Sequence, residues 1–180
     1  MMSIDLAGFV TFFKDHALEH GFHVHGERHF LETYSLRQAW EIDLHPEEAC
    51  DGPLDLNLTF DVEPRVLLAA EDAVEAESDA WDLDLPLLFN WALPPLSTAP
   101  DLLVLATELA GVGGPSLPIE VSASDSYGAV SDGIVQTLSL TGRVDVSVPK
   151  VFTDPEALCD VFEHCRDVSR YLLDNAHPWT

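Results

Sequence analysis

The sequence predicts an α+β fold: a single domain over residues 1–180, mainly antiparallel sheet, with N-terminal, central and C-terminal helices packed on one face. Three observations point there. The stretch "PLDLNLTFDVE" (53–63) alternates, with Leu54, Leu56, Leu58, Phe60 and Val62 on one side and Asp55, Asn57, Thr59, Asp61 and Glu63 on the other. That is the pattern of a sheet with one buried and one wet face. Helical segments are separated by runs of strands, without the regular alternation of a doubly wound parallel sheet. At 180 residues and 47% hydrophobic content, the chain can bury a core without disulfide staples.

Residues 3–20 read as a helix: Phe9, Phe13, His16 and His20 share a face, Leu6, Val10 and Ala17 widen it, and Gly21 stops it. Residues 22–45 read as two strands turning near 31–35. "HPEEACDGP" has the composition of the hairpin connection leading to the strand at 53–63. "RVLLAA" (65–70) suits a strand or a helical turn, and "AEDAVEAESD" (70–79) a solvated acidic loop. "WDLDLP" (81–86) resumes period-two alternation. "LLFNWALPPLSTAP" (87–100), punctuated by prolines, suits a connector on the core or a lid. Residues 97–111 read as a short buried helix capped by Ser97 or Thr98 and ended by Gly111. A strand follows at 117–124, then an exposed connection, then 134–152 as one long bent strand or a hairpin about Gly142. "TDPE" (153–156) has the form of a capping box opening the last helix, with Thr153 as N-cap. The core face of that helix is Leu158, Val161, Phe162, Cys165, Val168 and Leu172, with Cys159 outside it.

Eight Lys plus Arg face 32 Asp plus Glu, a formal charge of −24. Such a surface repels phosphate backbones and anionic lipid, which argues against nucleic-acid and membrane partners and suits a basic protein or a cation. The N-terminus lacks a basic signal region, and no apolar run approaches the ~20 residues of a membrane span. A reduced, cytoplasmic protein is expected. Cys50, Cys159 and Cys165 are odd in number and lack CxxC spacing, and Cys159 and Cys165 point to different sides of one helix.

Five of the eight histidines fall in "DHALEHGFHVHGERHF" (15–30). His16 and His20 are one helical turn apart, and His23 and His25 share one strand face, so the four offer a helix pair and a strand pair of imidazole ligands for one metal ion. Only two residues join the pairs, so the chain must turn sharply for them to converge. The plainer account puts His16 and His20 on the core edge and His23, His25 and His29 on a wet strand face, where their charge can respond to pH. "HPEEACDG" gathers His45, Glu47, Glu48, Cys50 and Asp51 without the spacing of a calcium loop or zinc knuckle, and suits a solvated turn. "SDSYG" (124–128) fits no nucleophile elbow, and "GVGGP" (111–115) no phosphate loop. Arg166 and Arg170 suit ion pairs along the last helix. Trp81, Phe89 and Trp91 suit core, a partner-binding surface or the wall of an apolar-ligand pocket.

No catalytic motif or cofactor fingerprint is present, so the leading expectation is a non-enzymatic acidic protein that binds another protein, as an adaptor, chaperone or immunity-type inhibitor. The alternatives are a small-ligand protein or enzyme with a pocket under residues 81–96, and a histidine-bound metal protein. The order helix, three strands, helix, two strands, helix is similar to that of the small acidic chaperones of type III secretion, although no motif accompanies it. That likeness implies a homodimer, non-catalytic, that holds an extended polypeptide.

Overall fold

The computed structural model describes residues 6–76, 83–129, 133–154 and 156–179. Its elements in chain order are α1 (Leu6–Glu19), β1 (Phe22–Leu31), β2 (Gln38–Pro46), a 3-10 turn (Glu47–Ala49), β3 (Asp55–Val62), α2 (Pro64–Glu75) and β4 (Asp84–Ala92). There follow α3 (Leu102–Gly113), β5 (Ile119–Tyr127), β6 (Ile134–Ser147), α4 (Val148–Thr153) and α5 (Cys159–Ala176). One sheet holds all six strands in the order β1-β2-β3-β4-β6-β5, and every neighbouring pair is antiparallel. The helices cover one face, giving the α+β architecture the alternation predicts.

Alternation explains the two-sidedness. Trp40, Ile42 and Leu44 of β2, Leu56, Leu58, Phe60 and Val62 of β3, and Leu85, Leu87, Phe89 and Trp91 of β4 all point to the helices and are buried. Each such side chain contributes roughly 1.5–3 kcal/mol by leaving water. α1 adds Phe9, Val10 and Phe13, and α5 adds Leu158, Val161, Phe162, Cys165, Val168 and Leu172, the face its periodicity predicts. Phe162 lies at the centre, edge-on to Phe22 and Phe89 at 6.1 and 5.9 Å between ring centroids.

Several local expectations are corrected. Residues 87–92 are neither connector nor lid; they are six of the nine residues of β4, a central strand between β3 and β6. Pro86 is tolerated because pairing with β3 extends only from Asp55↔Ala92 to Thr59↔Leu88, leaving Pro86 at a local edge. The segment 64–75 is a helix. Pro64 stands in its first turn, where its missing N–H costs nothing, and the small buried Ala70 and Ala73 recur at helical spacing. α3 is capped by Asp101, whose Oδ1 accepts from Leu103 N at 2.9 Å and Val104 N at 3.1 Å; it runs to Gly113, two residues past the expected Gly111. β6 is one 14-residue strand that pairs β5 with its first part and β4 with its last. A Cβ on Gly142 would lie 2.8 Å from Leu117 Cδ1, so the glycine lets the approach to β5 cross β6 closely. Thr153 ends α4, its hydroxyl donating back to Pro149 O at 3.2 Å, so it does not cap α5. Pro155 of that expected capping box lies outside the described residues.

Candidate metal centres

Gly21 decides where the histidines go. Its φ of 79° is left-handed backbone that ends α1, and its missing side chain leaves room for the Arg166 guanidinium, which a Cβ would meet at 2.7 Å. Phe22 then enters the core, so His23 points to the opposite, open face of the sheet. His16 and His20 stay behind on α1. The expected single site built from His16, His20, His23 and His25 is therefore corrected: the two pairs part, and each meets a cysteine remote in sequence. Among the described residues, two groups of three ligand atoms lie within 4.8 Å of one another: His23, His25 and Cys50, and His16, His20 and Cys159.

The edge centre forms where β1 meets the turn after β2. A bulge between Val24 and Gly26 shifts the pairing from Val24↔Leu44 to Gly26↔Asp43. Before it, His23 lies opposite His45 on the open face. After it, Glu27 and His29 face the helices instead, where Glu27 pairs with Lys14 of α1 at 2.7 Å and His29 stacks on Trp40 at 4.1 Å. The wet strand face expected for all three histidines thus stops at the bulge. On the other side of the centre, Ala49 is buried and Glu47 N donates to Gly21 O at 3.0 Å, which draws Cys50 against β1. Glu48 Oε1 accepts from Arg166 Nη2 at 2.9 Å and from Arg170 Nη2 at 2.6 Å, clamping the turn to α5. These guanidinium hydrogen bonds, Arg170 foremost, lower the Glu48 carboxyl to about 2. Arg166 and Arg170 therefore pair with Glu48 of a distant turn rather than along their own helix.

Cys50 Sγ lies 2.8 Å from His23 Nδ1 and 3.6 Å from His25 Nε2. A tetrahedral Zn2+, with bonds of about 2.3 Å to sulfur and about 2.0 Å to nitrogen, holds such ligands about 3.5 Å apart. The second distance already fits, and the first fits once the His23 ring swings out by roughly 0.7 Å. The other nitrogen of His23, Nε2, faces Glu47 Oε1 at 4.0 Å, the carboxylate–imidazole order that orients metal-bound histidines. Beside the cluster, the His45 ring is 4.5 Å from that of His25, with its Nε2 3.7 Å from Asp55. Its buried Nδ1 has no hydrogen-bond partner among the described residues. His23 and His25 are exposed and Cys50 is half-buried, so the cluster is open to solvent on the side away from the helices.

The inner centre lies between α1 and α5. His16 is 5% exposed, a buried polar ring between Phe12 and Phe162, and its Nε2 is 3.9 Å from Cys159 Sγ. His20 stacks against Phe162 with ring centroids 6.1 Å apart. The Cys159 thiol is pushed up by burial first and then by the carboxylates of Glu156, Glu163, Glu19 and Asp160.

The remaining candidates separate cleanly. Phe89 and Trp91 are 0% and 1% exposed, so the expected partner surface or pocket wall at these residues is replaced by core; Trp81 lies outside the described residues. Trp91 spends its Nε1–H on Ser169 Oγ at 2.9 Å, and that hydroxyl donates to Cys165 O at 2.8 Å. Ser124, Asp125, Ser126 and Tyr127 lie on β5, exposed, with Asp125 accepting from Gln136 at 2.9 Å. No helix among the described residues is long and apolar enough to cross a membrane. What sequence reasoning missed was the pairing of each histidine pair with a cysteine, 27 residues from His23 and 143 from His16, because ligand motifs are sought at short spacing. Two close histidine pairs beside two unpaired cysteines were the available signal. No family model, curated protein or solved structure matches this chain, so side-chain geometry alone carries the functional reading.

Proposed function

We propose that this protein binds a borderline-soft transition-metal ion, Zn2+ foremost, at the edge centre of His23, His25 and Cys50. The observation that carries the reading is the convergence of two imidazoles and a thiol within 4.8 Å. Mixed nitrogen and sulfur donors favour Zn2+ over the hard cations Mg2+ and Ca2+, which take oxygen. Three protein ligands with an open fourth position suit an exchangeable ion, one that is acquired, handed on or sensed. The net charge of −24 favours cation approach. The test is metal content and Co2+ titration of untagged protein. Wild type should give thiolate-to-cobalt absorption, of which C50S removes the share due to the edge centre and H23Q weakens that share at least tenfold in affinity. A Co2+ spectrum unchanged in C50S rejects the reading.

A second reading, self-association into a homodimer, rests on the β1–β2 hairpin tip. Phe30, Leu31, Tyr34 and Leu36 are at least half exposed there, with Tyr34 at 99%, beside Glu32, Arg37, Glu63 and Arg65. An exposed patch of aromatic and aliphatic side chains supplies the groups that carry interface affinity. A second copy of the chain is the simplest occupant to test. Sedimentation of wild type and of Leu31→Ser/Tyr34→Ser should then differ in mass, and identical monomers would remove the dimer.

A further inference from the structure

We infer that His16, His20 and Cys159 form a second metal centre, a structural Zn2+ site that fastens the N-terminal helix α1 to the C-terminal helix α5. It stands on a different cluster from the edge centre and does not depend on it. All three ligand atoms lie within 4.8 Å, supplied by two helices that approach each other over the core. The His16–Cys159 distance of 3.9 Å is within about 0.4 Å of a tetrahedral zinc edge. His16 and His20 are one helical turn apart, and their rings stack at 6.0 Å, so one small rotation of each aims a nitrogen at the same point.

The surroundings distinguish this centre from the edge one. His16 is buried, Cys159 and His20 are half-buried, and Phe12 and Phe162 wall the rings in, so an ion here exchanges slowly. A buried imidazole whose sulfur contact is this long gains little from it, and a metal bond supplies what that contact lacks. Four carboxylates, Glu19, Glu156, Asp160 and Glu163, act on the Cys159 thiol. The negative field that disfavours a bare thiolate favours a divalent cation at the same point. Binding breaks the S–H bond of Cys159, forms the metal–sulfur bond and releases the proton to solvent.

The experiment is Zn2+ stoichiometry and thermal melting of untagged, metal-stripped protein. Wild type should take up two ions per chain, and C50S and C159S one each. Zn2+ at a hundredfold excess over Kd should raise the Tm of wild type and C50S by about 5 °C or more. That gain in C50S should vanish in C50S/C159S, in which both centres are broken. H20Q, which keeps the cysteine, guards against a C159S chain that folds poorly and should lose the same ion. One ion per chain that survives C159S and H20Q but is lost in C50S overturns the inner centre and leaves the edge centre standing. One ion lost in C159S and kept in C50S supports the inner centre and overturns the edge centre. Uptake of none overturns both.

Discussion

Glu48 holds no ligand atom, yet the position of Cys50 depends on it, because Arg166 and Arg170 fix its carboxylate and with it the turn. The depressed carboxyl defines a pH window. Its contribution to stability is present above the ordinary carboxylate range and fades as pH falls through about 2. Glu48→Gln should cost about 1 kcal/mol at neutral pH, the upper range for partly exposed pairs, and weaken metal binding at the edge centre. Urea unfolding from pH 7 down to pH 2 should show the gap between wild type and variant closing. Ser169→Ala acts within the core: Trp91 Nε1–H is left buried without an acceptor, at about 1–3 kcal/mol in the same assay. Neither dependence is written in local sequence. Glu48 reads as one acid among 32, and its partners lie 118 and 122 residues away. The histidines were legible as ligands, and Cys50 as one of a ligand-rich turn; their meeting was not, since only the folded chain brings Cys50 to β1 and Cys159 to α1.

Elements were legible wherever one periodicity held without interruption. β3 and α5 show their buried faces directly, Leu54 to Val62 by twos and Leu158 to Leu172 by threes and fours. β4 was obscured because Pro86 and the prolines after Ala92 suggest a loop. The alternation Leu85, Leu87, Phe89, Trp91 runs through regardless. Phe89→Ala should therefore behave as a deep core truncation, costing about 3–5 kcal/mol in denaturant unfolding. A partner-binding surface at Phe89 would predict little loss. α2 was hidden for a different reason: its buried face is alanine, whose small volume gives little hydrophobic signal. Gly142→Ala tests the strand crossing, where the added methyl meets Leu117 at 2.8 Å and overpacking should cost about 1–3 kcal/mol.

At the scale of the whole molecule, a formal charge of −24 is self-repulsion that folding concentrates. Raising NaCl from about 0.05 M to about 0.5 M should raise the Tm of the metal-free protein by screening that repulsion. Zn2+ should act at micromolar concentration, where screening is negligible, and chelation should reverse it. A Tm indifferent to salt would mean that ion pairs such as Arg28–Glu41 at 2.8 Å and Arg37–Asp61 at 2.6 Å already offset the field.

The sequence separations within the two centres also order events during synthesis. The edge ligands span residues 23 to 50, on β1 and in the turn after β2, so they can meet before the later elements have been made. The inner centre waits 143 residues, from His16 to Cys159, until the last helix has emerged. On the proposed reading, a growing chain would meet metal first at the sheet margin and only later between α1 and α5, where the second ion would mark the docking of those two helices.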